Sequence, residues 1–156
     1  MPIARFECRS TGLTFSLLPV QLIPYYQYTV AAIIIMVVLA TDLQNQDQSC
    51  CEAAAEQAHP DSNITPFLVW CWLKAVVLGL RRAHAFLNGS CDLRQVQSRQ
   101  GRKGLAAEVA GYLAAIAAGG SGDRADSLIV LVMAYSKTTG QFFLGQSSQQ
   151  RKIAGV

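Results

Sequence analysis

A chain of 156 residues with 51% apolar and only 15% charged side chains is sized for a single core and is too apolar to stay disordered as a whole. The net charge of +3 does not by itself argue for a nucleic-acid partner, but the charges are sorted along the chain. Asp42, Asp47, Glu52, Glu56 and Asp61 have no basic residue among them, whereas Lys74, Arg81, Arg82, Arg94, Arg99, Arg102 and Lys103 are opposed only by Asp92. A basic half of this kind suits a phosphate backbone, or it is simply a solvated face.

Cysteines stand at 8, 50, 51, 71 and 91. An odd number, two of them adjacent, with no secretory signal pattern ahead, points to reduced thiols and a cytoplasmic location rather than a disulfide framework. No nucleophile elbow, phosphate loop or zinc-protease motif occurs, and His59 and His84 have no cysteine or carboxylate at ligand spacing. The expectation is therefore a non-enzymatic protein with no metal, no cofactor and no small-molecule substrate.

In chain order, residues 5–16 roughly alternate apolar and polar side chains around Thr11-Gly12, which predicts a short β-hairpin. Leu17-Leu18-Pro19 and Pro24-Tyr25-Tyr26-Gln27-Tyr28 follow. Residues 30–40 form the most apolar run, with Ile33, Ile34, Ile35, Met36, Val37 and Val38 leaving no polar face. At that length a helix buried in protein is favoured over a bilayer span, which needs about 18–20 residues. Residues 25–43 carry one charge, Asp42, so a small integral membrane protein with a span there stays an alternative, as does a buried strand.

Residues 49–74 hold two helix signals separated by a polar break. Ser49 with Glu52 has capping-box spacing, and Ala53, Ala54 and Cys50 would pack this second helix on the first. His59-Pro60-Asp61-Ser62-Asn63 breaks it, and Thr65-Pro66 restarts a helix with threonine as cap and proline in the first turn. This third helix should run to Asn88-Gly89, a pair suited to a left-handed cap. Trp70 and Trp72, two positions apart, cannot share a face, so one belongs to the core and the other to the outside.

The order Phe6-Glu7-Cys8, Gly12, Leu17-Leu18-Pro19, Pro24-Tyr25 and Tyr28, followed by a helix-turn-helix pattern, resembles the transposase-associated zinc-ribbon proteins of unassigned function found in bacterial mobile elements. The likeness covers roughly residues 5–87. Cys8 stands at the first knuckle position, but Thr11 occupies the second, so the ribbon is degenerate and holds no zinc. The resemblance implies a trihelical DNA-binding unit, with DNA as the partner and no catalytic domain. The residues placed to meet nucleic acid are Ser62, Asn63 and Thr65 at the helix start and Lys74, Arg81 and Arg82 along it. A helical protein-interaction module is the other alternative.

Residues 89–104, rich in Gln and Arg, read as a linker. Residues 105–118 predict an alanine-rich helix with Val109, Leu113 and Ile116 inward, and 125–135 a last helix capped by Asp123, the two forming a hairpin on the core. The expected fold is thus mainly α: a degenerate ribbon hairpin (1–23), a helix-turn-helix-like helical bundle (24–88), a linker (89–104), a C-terminal helical hairpin (105–137) and a disordered tail (138–156) anchored only through Phe142, Phe143 and Leu144.

Overall fold

A computed structural model describes residues 28–43, 49–58, 63–119 and 122–144, together with the backbone of two short strands at 4–7 and 14–17. Those strands, Ala4–Glu7 and Thr14–Leu17, pair antiparallel with Phe6 opposite Phe15. The residues joining them, and with them Cys8 and the expected Thr-Gly turn, lie outside the described residues.

The described body is mainly helical. It comprises α1 (Val30–Asp42), α2 (Cys50–Gln57), α3 (Pro66–Leu87), α4 (Gly101–Ala118) and α5 (Arg124–Thr139). Helix α1 forms over the apolar run, started by Thr29, whose hydroxyl accepts from the Ala32 amide at 3.2 Å. Ile33, Ile34, Val37 and Ala40 are fully buried there, against α2, α3, α4 and α5. Protein rather than lipid surrounds these side chains, and no helix among the described residues is long and apolar enough to cross a membrane.

Helix α2 lays Cys50, Cys51, Ala53 and Ala54 on α1 and α3 and turns Glu52 and Glu56 outward. The expected capping box does not form. Ser49 makes no side-chain cap bond, and the amides of Glu52 and Ala53 bond its backbone carbonyl instead.

Helix α3, 22 residues and about 33 Å long, is the axis of the bundle and touches each of the other four helices. Thr65 caps it, its hydroxyl accepting from the Leu68 amide at 3.2 Å, with Pro66 in the first turn. Trp72 is fully buried, edge-on to Tyr28 at 4.9 Å, whereas Trp70 is half-buried. The left-handed cap expected at its far end is absent: Asn88 stays right-handed at φ −64° and the chain tightens into successive turns through Ser90 and Cys91.

The stretch read as a linker is packed. Leu93 is buried, Val96 lies against Gly111 of α4, and the backbone of Arg99 lies against Gly104. It runs back along α4 because α3 and α4 point the same way, as Arg81 opposite Glu108 and His84 opposite Tyr112 show. Parallel neighbours need a crossover of this kind. Helix α4 also starts earlier than expected, at Gly101, a residue with φ +75°.

Helices α4 and α5 form the expected hairpin and close over α1. Asp123 caps α5 by accepting from the Ala125 amide at 3.2 Å. Helix α5 extends to Thr139 and stops at left-handed Gly140. The first part of the expected tail is ordered structure: Phe143 and Leu144 are buried. Residues 145–156 lie outside the described residues.

Candidate functional site

The outward stripe of α3 repeats every three to four residues: Phe67, Cys71, Lys74, Leu78, Arg81 with Arg82, and Ala85. Phe67 is 73% exposed and Leu78 is 53% exposed, although nine other residues of this helix are buried. The stripe therefore combines apolar side chains with cations, on a helix that packs against all four others.

The structure separates the residues expected to meet nucleic acid. Ser62 lies outside the described residues. Asn63 is exposed in the left-handed region at φ 52°, a conformation asparagine tolerates better than most residues. Thr65 spends its hydroxyl on the helix cap. Lys74 is exposed, with its ammonium 5.1 Å from the centroid of the Trp70 ring, and the Arg102 guanidinium approaches the same ring at 5.4 Å.

Arg81, at the surface, is engaged by α4. Its Nε and Nη2 donate to the two oxygens of Glu108 at 2.8 and 2.7 Å, and Nη2 also donates to the Arg99 carbonyl. Glu108 is buried and takes a third bond from the Arg99 amide at 2.8 Å. Burial alone pushes its carboxyl upward, but the Arg81 hydrogen bonds, the Arg99 amide and the arginine charges outweigh it and hold the carboxyl below its ordinary value. The same bonds raise the Arg81 guanidinium. One turn on, His84 Nδ1 lies 2.8 Å from the Tyr112 hydroxyl, whose ionisation is pushed up by burial and by Glu108. These paired polar groups set the register of α3 against α4.

Arg82 is directed to the C-terminal segment, where its Nη2 donates to the Phe143 carbonyl at 2.6 Å. Phe143 itself rests on Gly79: a Cβ built there would stand 2.8 Å from two ring carbons and 2.8 Å from the carbonyl oxygen. The sequence patterns name Phe143 only as one of three anchors of the tail and do not single out Glu108, although the partners of both left traces. A lone glutamate among alanines and valines marks a buried partner for an arginine, and a glycine inside a long helix marks a close approach.

Outside α3, an open cleft of about 400 Å³ is lined by Cys91, Ile116, Ser127, Val130 and Leu131 among others. Burial raises the Cys91 thiol above its ordinary value, so it is a poor nucleophile there. Cys51 is pushed up to about 12, by burial first and then by Cys50. No cluster of three or more metal-capable side chains occurs among the described residues. A search of known protein families, curated proteins and solved structures gives no match to this chain.

Proposed function

We propose that this protein is a non-catalytic helical interaction module that binds a partner helix along the outer face of α3. The observation that carries this reading is the exposure of Phe67 and Leu78 on a helix that packs against all four others, in register with Cys71, Lys74 and Ala85. Burying such residues is the main source of affinity in helix-in-groove docking. The cations of the stripe define the partner's chemistry: aliphatic side chains flanked by carboxylates. A second copy of the same face would bring Lys74 and Arg82 against their own kind, which disfavours self-pairing.

Selection of displayed helical peptides against the full chain tests this. Binders rich in leucine and glutamate are expected, with affinity that falls as salt rises and is lost in Leu78→Asp and Phe67→Asp. Binders indifferent to both substitutions would overturn the reading.

A second reading is DNA binding by a cytoplasmic mobile-element remnant, as the zinc-ribbon and helix-turn-helix resemblance implies. It is supported by the meeting of Lys74 and Arg102 at Trp70, with exposed Lys103 beside Arg102. In this version Lys74 and Arg102 make the phosphate contacts, since Arg81 and Arg82 already hold a carboxylate and a carbonyl. Anisotropy of a labelled duplex across a salt series decides: Lys74→Ala should lower the salt slope by about 1, and binding that does not weaken with salt would end this reading.

A further inference from the structure

Residues 141–144 sit on the bundle in the manner of a bound peptide. Helix α5 ends at Gly140, whose left-handed φ of 68° turns the chain out of the helix. Beyond it the Gln141 amide donates to the Thr139 hydroxyl, and the Tyr135 hydroxyl donates to the Gln141 side-chain oxygen at 3.1 Å. The Phe143 ring then enters a slot floored by Gly79, with Tyr135 edge-on at 6.3 Å and Phe86 edge-on to Tyr135 in turn. Arg82 closes the slot by donating to the Phe143 carbonyl.

What the slot reads is a phenyl ring and the main-chain carbonyl of the same residue. Both lie within 2.8 Å of where a Cβ at position 79 would stand, so only glycine gives the depth. An arginine donating to a main-chain carbonyl recognises backbone that any extended segment presents, and the ring supplies selectivity. The occupant is non-helical and follows directly on a helix stop, so its release leaves the helices intact.

We infer that the Gly79 slot between α3 and α5 is a recognition site for an extended peptide bearing a phenylalanine followed by an aliphatic residue, and that this chain fills the site in cis with Phe143 and Leu144. The segment competes with any such peptide in trans. The slot shares Arg82 with the outer stripe of α3, but Gly79, Tyr135 and the phenyl site belong to it alone and Phe67 and Leu78 take no part, so the test separates it from helix docking on the outer face.

The test uses the full chain and a fluorescein-labelled peptide with the sequence of residues 138–145, Thr-Thr-Gly-Gln-Phe-Phe-Leu-Gly. Phe143→Ala takes the ring out of the slot and leaves only the main-chain carbonyl to hold the segment, so this variant should bind the peptide at least about tenfold more tightly than the unmodified chain, whose slot is open only for the fraction of time the segment is released. Adding Gly79→Ala to that variant should abolish binding. Equal affinity for both chains, or no binding to a Phe143→Ala protein that keeps its helical circular dichroism, overturns the inference.

If Phe143→Ala lacks that helical signal, the unmodified chain decides. Chymotrypsin cleavage at Phe142 or Phe143 whose rate is flat in low urea shows local release and supports the site. Cleavage that accelerates with the urea dependence of global unfolding shows that the segment is inseparable from the core, and overturns it.

Discussion

Replacing Gly79 with alanine should destabilise this protein, although glycine-to-alanine inside a helix ordinarily stabilises by about 1 kcal/mol. The added Cβ would stand 2.8 Å from Phe143 Cε1, Cζ and carbonyl oxygen. Rotating the ring relieves two of those contacts and leaves the backbone oxygen, so the segment itself must move. Losing the burial of Phe143 costs about 1.5–3 kcal/mol. Losing the Arg82 bond to its carbonyl costs about 1.5 kcal/mol more, the low end for a charged donor because the guanidinium is exposed. Against the helix-propensity gain, the net expectation is a loss of about 2–3.5 kcal/mol. Gly111→Ala in α4 is the matched control, since its Cβ would meet only the Val96 methyls at 3.9–4.0 Å, ordinary contact distance. That variant should gain about 0.5–1 kcal/mol. Urea denaturation followed by circular dichroism gives both values. If Gly79→Ala is as stabilising as Gly111→Ala, the close packing of Phe143 on α3 is not present in solution and the reasoning fails.

Four further outcomes are expected. Breaking a fully buried ion pair costs about 3–5 kcal/mol, but Arg81 is 36% exposed, so screening brings the expected loss for Arg81→Leu to about 2 kcal/mol, read by urea denaturation. Because the folded state depresses the Glu108 carboxyl, its contribution to stability is complete above its ordinary value of 4.5 and declines as pH falls through the lower folded value. Stability measured from pH 6 downward should therefore fall less steeply in Glu108→Gln than in the unmodified chain; unchanged steepness would remove Glu108 as the cause. Thr65→Ala should cost about 1 kcal/mol and Ser49→Ala no more than about 0.5, since only the threonine hydroxyl holds a cap; a reversed order would contradict the cap assignment. With its thiol pushed up to about 12, Cys51 should resist iodoacetamide at pH 8 in the folded protein and react on unfolding. Peptide mass mapping reads this, and labelling of native Cys51 as fast as in urea would refute it.

Much of the helical framework was legible in local sequence because local physics sets it. Thr65-Pro66 starts α3 where a hydroxyl cap and a proline in the first turn require, and Asp123 starts α5 by the same logic. The two-residue offset between Trp70 and Trp72 forces one inward and one outward whatever the fold, and Trp72 is the buried one. The apolar run at 30–40 is helical, with its environment supplied by the other four helices. Where local signals failed, a competitor from elsewhere in the chain was present. Ser49 and Glu52 had the spacing of a capping box, but spacing does not fix the side-chain orientation that the box needs. The glutamine- and arginine-rich stretch looked like a linker because two of its anchors, Val96 and the Arg99 backbone, rest on α4, a partner that no local pattern reveals.

The candidate site divides in the same way. Sequence alone determined that Lys74, Arg81 and Arg82 lie along one helix, because a period of 3.6 residues is a local property. It also placed Phe67 and Leu78 on that helix. Which of the cations face solvent and which serve the protein was decided by tertiary structure, through Glu108, 27 residues from Arg81, and Phe143, 61 residues from Arg82. A carboxylate or a carbonyl that captures a guanidinium is selected by distance in space, and that distance exists only once α4 and the end of α5 have packed against α3.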